Sequence, residues 1–168
     1  MILRNAKKEE AEICYQCIED AKRYQQSLGF VQWDASYPSL CTILEDIEQN
    51  IGYVFVENEQ ILGYCCIIFG EDPDYLDIEG AWQTDQSYAV VHRMAFAKNS
   101  RGKGFSANAF SLIKKFCIEN GTEAIRIDTH EKNRAMRNAL SRLGFIHCGT
   151  IYIEDGTPRM AFYLPYSG

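Results

Sequence analysis

The sequence predicts an α+β domain built on one mixed sheet, and three observations carry that prediction. Strand-like and helix-like runs succeed one another from the first residue to the last, with no linker or low-complexity stretch between them. The length, 168 residues, is that of one domain able to bury one substantial core. The chain closes on "FIHCGTIYIEDGTPRMAFYL", two β-runs about an Asp-Gly turn, the strongest short-range hairpin signal it contains.

"MILRNA" opens as a short strand. Glu9, Glu10 and Glu12 mark the start of a helix, where the dipole favours anions. Cys14, Cys17, Ile18, Ala21 and Leu28 recur at helical spacing and predict its buried face, and Gly29 ends it. "FVQWDASYP" reads as an aromatic loop. Ser39 caps a second helix to Gln49, with Leu40, Ile43, Leu44 and Ile47 facing inward. "YVFVENEQILGYCCIIF" predicts two strands about a turn at Glu57–Gln60, and "GEDPDYLDIEGAWQTDQ" a loop. "SYAVVHRMAFA", rich in valine and aromatics, is the fourth strand. Ala109, Phe110, Ile113, Phe116 and Cys117 define a third helix, closed by Asn120-Gly121. "EAIRIDTH" is the fifth strand, with Ile125 and Ile127 on one face. Asn133 caps a fourth helix bearing Met136, Leu140 and Leu143, and Gly144 stops it.

Composition narrows the function classes. The N-terminal "MILRNAKKEEAEI" has no apolar core of a secretory leader, and the longest apolar run, "YCCIIF", is far too short to span a membrane. Seven cysteines without a leader predict reduced thiols in a cytoplasm. Cys14 and Cys17 form a C-x-x-C, but they fall at core spacing on a helix and have no second cysteine pair, so burial is the better reading than redox or metal chemistry. A net charge of −6 argues against a general nucleic-acid binder.

Against that acidic total one segment stands out. Between Asp85 and Glu119 there is no carboxylate, while Arg93, Lys98, Arg101, Lys103, Lys114 and Lys115 make the stretch +6 and leave −12 for the rest. Within it the order is strand, "NSRGKGFSA", helix. Glycines let the backbone turn tightly and approach a ligand, and the free N–H groups of the following helix favour an anion. The physics fits a diphosphate; a plain tight turn at Gly102 and Gly104 is the alternative. There is no G-x-x-x-x-G-K-[ST] phosphate loop and no full G-x-G-x-x-G after an opening strand.

Arg101-Gly102-Lys103-Gly104-Phe105-Ser106 resembles the [Arg/Gln]-x-x-Gly-x-[Gly/Ala] signature of the GNAT family of N-acetyltransferases, with Ser106 a departure at the last position. "VVHRMAFAKNSRGKGFSA", "IRIDTHEKNRAMRNALSRLGF" and "CGTIYIEDGTPRMAFY" are similar to the family's central and C-terminal parts in order. The resemblance implies a single N-acetyltransferase domain over residues 1–168. Its central sheet is mixed, mostly antiparallel and flanked by helices, and the fourth and fifth strands splay apart. It implies acetyl transfer from acetyl-CoA to an amine of a small molecule, peptide or protein. Nucleic acid, membrane and metal are not expected, and a homodimer is the candidate assembly.

The resemblance also assigns roles. Backbone N–H groups from Gly102 to Ala107, with Arg101, Lys103, Phe105 and Ser106 in the same turn, hold the pyrophosphate. Met94, Ala95 and Phe96 pair with the pantetheine arm and polarise the thioester carbonyl. Asn133 and Met136 contact the cofactor, though Asn133 also reads as a plain helix cap. The attacking amine must lose a proton, since a lysine-like amine has a reference pKa of ~10.4. His92 and Glu79 are the candidate bases. The family's usual tyrosine acid falls at Leu140, so Tyr152, a water or unaided thiolate departure must serve. Tyr24, Trp33, Trp82 and Tyr88, with Asp34 or Glu79 nearby, are the candidate acceptor-binding residues. A non-catalytic acetyl-CoA sensor and a nucleotide-binding regulator are the rival functions.

Overall fold

A computed structural model describes residues 1–166. Eight strands form one mixed sheet: β1 (Ile2–Asn5), β2 (Gly52–Glu57), β3 (Gln60–Phe69), β4 (Ile78–Gly80), β5 (Tyr88–Phe96), β6 (Ala124–Thr129), β7 (Ile146–Tyr152) and β8 (Pro158–Pro165). Four helices accompany them: α1 (Ala11–Ser27), α2 (Leu40–Glu48), α3 (Phe105–Glu119) and α4 (Arg134–Arg142). The expected class is therefore the observed one. Internal contacts divide the chain into two compact units, residues 1–67 with 92–112 and residues 68–91 with 113–168.

In the first unit, β1, β2 and β3 form an antiparallel meander, with Leu3 opposite Phe55 and Val54 opposite Tyr64. The turn between β2 and β3 places Asn58 and Glu59 at positive φ, as a two-residue hairpin requires. The end of β5 lies beside β3, where the Ala97 N–H donates to Leu62 O at 2.9 Å. Gly63 makes that approach possible, because a Cβ there would stand 2.8 Å from Ala95 O. α1 and α2 bury Cys14, Cys17, Ile18 and Ile43 against Val54 and Tyr64. Complete burial of an isoleucine such as Ile18 contributes about 2 kcal/mol. Ser39 and Thr42 close a reciprocal cap at the start of α2. Leu28, expected inside, is 51% exposed: α1 ends at Ser27, and Leu28 already follows the turn into Gly29 at φ +82°.

In the second unit, the start of β5 runs parallel to β6, pairing Tyr88, Ala89 and Val90 with Ala124, Ile125 and Arg126. Antiparallel ladders then join β6 to β8, β8 to β7 and β7 to β4. β4 is an addition to the expected scheme, which had a loop there. Its three residues pair with Gly149–Ile151 only because Gly80 and Gly149, both at positive φ, face each other without side chains.

Candidate active site

The glycine turn belongs to the first unit. β5 ends at Phe96, a short 3-10 turn covers Lys98–Ser100, and α3 begins at Phe105. Gly102 and Gly104 lie at φ +73° and +74°, where a side chain is strained, and a Cβ at either would meet no protein atom within 4 Å. The turn is thus a tight one, with open space at both Cβ positions. The first N–H groups of α3 have no intrahelical acceptor and face that turn. Two contacts fix it. The Lys98 N–H donates to Asp20 Oδ2 at 3.0 Å, and Arg101 Nη2 donates to Phe96 O at 3.3 Å. The Arg101 guanidinium also lies 4.7 Å from the Tyr24 ring centre. Burial raises the Asp20 carboxyl, but the Lys98 N–H, Gln16 and the guanidinia of Arg101 and Arg23 outweigh it and hold its pKa below the usual range. Arg101 therefore fastens the turn, while Lys103 is exposed. Phe105 and Ser106 are half-buried and Ala107 is exposed in the first turn of α3.

β5 is broken one residue before Met94. Arg93 has φ +51°, a left-handed conformation costing roughly 1–3 kcal/mol for a residue with a side chain. The break disrupts strand alternation: Val90 and Val91 are both buried, His92 and Arg93 are half-buried, and Met94 and Ala95 are both buried. The guanidinium supports it. Arg93 Nε and Nη2 donate to Asp46 Oδ2 and Oδ1 at 2.9 and 2.6 Å, and Nη1 donates to the Tyr37 hydroxyl at 2.9 Å. Tyr64 Oη donates to Asp46 Oδ2 at 2.7 Å. Burial, and then the Asp46 carboxylate, push the Tyr64 phenol far up, so it stays a donor. Sequence reasoning missed this cluster. Its signal was Asp46 itself, a carboxylate at core spacing between Ile43 and Ile47, which needs a buried cation.

Trp33 packs on the first unit's core. Asp34 serves its own turn: its Oδ1 accepts from the Ser36 N–H, the Ser36 hydroxyl and the Tyr37 N–H, which lower its pKa.

The remaining candidates lie in the second unit. Glu79 and Tyr152, expected in separate roles, are brought together: both are exposed, and the Tyr152 hydroxyl donates to Glu79 Oε2 at 3.0 Å. That hydrogen bond raises the phenol's pKa. Trp82 and Tyr88 hold the buried Arg126 guanidinium between their rings, 4.3 and 3.8 Å from the ring centres, and Trp82 Nε1 donates to Tyr75 O. Asn133 caps α4, its Oδ1 accepting from the Met136 N–H at 3.2 Å. His130 Nδ1 accepts from the Lys132 N–H, so this histidine orders the loop before α4. Leu140 is fully buried. Among the described residues no group of three or more His, Cys, Asp or Glu could hold a metal ion.

The model of the acetyltransferase (GNAT) family matches residues 12–145. A GNAT-family acetyltransferase structure from Streptococcus agalactiae is 28% identical, with a TM-score of 0.87 over 99% of this chain and 95% of that one. A putative acetyltransferase from Staphylococcus aureus is 22% identical, with a TM-score of 0.72 over 98% and 99%. An aminoglycoside acetyltransferase in complex with coenzyme A shares the fold at 16% identity, with a TM-score of 0.71 over 98% and 94%. A search of curated proteins returned no match.

Proposed function

The chain belongs to the acetyltransferase (GNAT) family, and from that premise we propose that it transfers the acetyl group of acetyl-CoA to an amine by direct attack on the thioester. The observation that carries this reading is the turn at Gly102 and Gly104, held at positive φ at the mouth of α3 with no protein atom near either Cβ position. There the N–H groups from Gly102 to Ala107 bind the pyrophosphate, helped by the field of Lys103 and Arg101. Acetyl-CoA supplies an acetyl group on a thioester. Backbone groups of Met94, Ala95 and Phe96 align the pantetheine arm, and an N–H there stabilises the charge that develops on the carbonyl oxygen. Asn133 and Met136 at the start of α4 are the second unit's candidates for cofactor contact.

His92, half-buried and two residues before Met94, takes the proton from the attacking amine in this reading. Glu79 is the second candidate, but its carboxylate already accepts a hydrogen bond from the Tyr152 hydroxyl. Tyr152 in turn is a weakened acid because that bond raises its pKa, and the CoA thiolate then leaves without it or through water. The faces of Tyr24, Trp82 and Tyr88 that meet arginine are occupied, so none of the three offers that face to an acceptor ammonium. A fold neighbour is an aminoglycoside acetyltransferase with coenzyme A and kanamycin bound, which makes kanamycin a first acceptor to try.

We place the protein in a cytoplasm. Its seven cysteines are free, burial pushes the Cys14 and Cys17 thiols up to about 12, and no described helix is long and apolar enough to cross a membrane. The second reading, an acetyl-CoA-binding module without transfer activity, draws on Leu140 standing buried where the family's acid was expected.

Thermal shift and acetyl transfer test the assignment together. CoA at 100 times its Kd should stabilise the fold by about 2.7 kcal/mol. Gly104→Val should remain folded and lose that shift. His92→Ala should keep it and lose on the order of 10²-fold in kcat. Full CoA binding by folded Gly104→Val contradicts the proposed cradle, and full activity in His92→Ala removes it as the base.

A further inference from the structure

Arg93 is the one non-glycine residue at positive φ inside a strand among the described residues; Asn50, Asn58 and Glu59 occupy turns. Its conformation is held from three elements. Asp46 comes from α2, Tyr64 from β3, and Tyr37 from the loop before α2. The carboxylate takes both edges of the guanidinium fork, at 2.9 and 2.6 Å, which fixes its plane as well as its position. The Asp46 and Arg93 side chains are 6% and 13% exposed, so the pair is little screened. The Tyr64 hydroxyl restrains Oδ2 further. The third donor, Nη1, reaches the Tyr37 hydroxyl, and the Tyr37 N–H is itself bonded to Asp34. One guanidinium thus joins the break in β5 to the turn at residues 34–37.

We infer that Asp46 is a positioning residue for acyl transfer. Through Arg93 it sets the left-handed break in β5 and so aims the backbone N–H groups from Met94 onward. Through the same guanidinium it fixes Tyr37 and the aromatic loop that carries Trp33. The inference rests on the acetyl-transfer reading given above, because it is the thioester carbonyl that those N–H groups meet. It differs from that reading in what fails when the pair is removed. The pyrophosphate turn is fastened by Asp20 and by the Arg101–Phe96 contact, neither of which involves Asp46. The pyrophosphate contacts should therefore outlast a loss of aim, while the pantetheine contacts of Met94–Phe96 weaken.

The test uses Asp46→Asn and the double variant Arg93→Met with Asp46→Leu. A single change leaves a buried charge unpaired and risks the fold, whereas replacing both partners with apolar residues is often neutral. Three quantities are measured: the CoA-induced thermal shift, kcat for acetyl transfer to excess n-butylamine, and amide hydrogen exchange at Met94–Ala97. The inference predicts a fall in kcat of about 10- to 100-fold, of the kind seen when one oxyanion donor is lost, a CoA shift that falls much less than kcat because only the pantetheine contacts at Met94–Phe96 are loosened, and faster exchange at Met94–Ala97 in both variants. Wild-type kcat in a folded double variant overturns it, and so does loss of the CoA shift in step with kcat, which would mark the pair as general scaffolding. A wild-type protein that releases no CoA would refute acetyl transfer itself. In that case unchanged exchange in the variants refutes the positioning, and faster exchange upholds the anchor.

Discussion

His130 shows how a single side chain can tie the fold to pH. Its Nδ1 must be unprotonated to accept the Lys132 N–H, and its backbone carbonyl accepts from the Asn133 N–H at 3.0 Å. Burial, followed by the nearby Arg159, lowers its pKa below 6.5. A folded-state pKa below the unfolded value means stability that is fully present above pH ~6.5 and lost as pH falls toward the folded value. The urea midpoint should therefore decline just below pH 6.5, and His130→Gln should flatten that decline. An unchanged slope in the variant would assign it to other groups. At this scale the sequence was readable where a residue type has one outlet: Asn133 is a cap, and the C-x-x-C is buried packing. It was unreadable where residues distant in the chain pair up. Glu79 and Tyr152 are separated by 73 positions, and nothing in either segment signals the other.

Among elements, β5 and β4 mark the two limits of legibility. β5 was evident from its valines and aromatics, but its break at Arg93 was not, because a left-handed arginine is disfavoured locally and persists only through Asp46. β4 was hidden because three residues give no period, and its pairing depends on two glycines far apart in sequence. That dependence gives a prediction. Gly149→Ala puts a Cβ against the Glu79 carbonyl, so β4 should detach from β7, with a loss of about 2–4 kcal/mol as for an overpacked strained site. Chemical denaturation measures the loss, and the Tyr152 phenol, freed of Glu79, should titrate at lower pH. A variant of wild-type stability would show that the ladder tolerates the side chain. α2 was predicted with its cap and four inward apolar positions, yet Asp46, buried with Ile43, carries the charge that the strand needs.

For the whole molecule, the uneven charge pointed to an anion, and the signature at Arg101–Ser106 with the matching segments after it reached the family, because glycines, cations and a helix start lie within one stretch of chain. The residues proposed for the acceptor are scattered along the chain and carry no such local mark, and most of the aromatic faces expected to take part hold arginines instead. The central claim is that acetyl-CoA is held so that an amine attacks it. The most direct measurement follows thiol release from acetyl-CoA by the wild-type protein while kanamycin or n-butylamine is varied, with the amine product checked by mass. The account predicts release that rises with amine concentration and saturates with acetyl-CoA, together with one acetyl group gained on the amine. Acetyl-CoA that stabilises the protein while thiol release stays at the uncatalysed rate across both amines and a wider amine panel would contradict it.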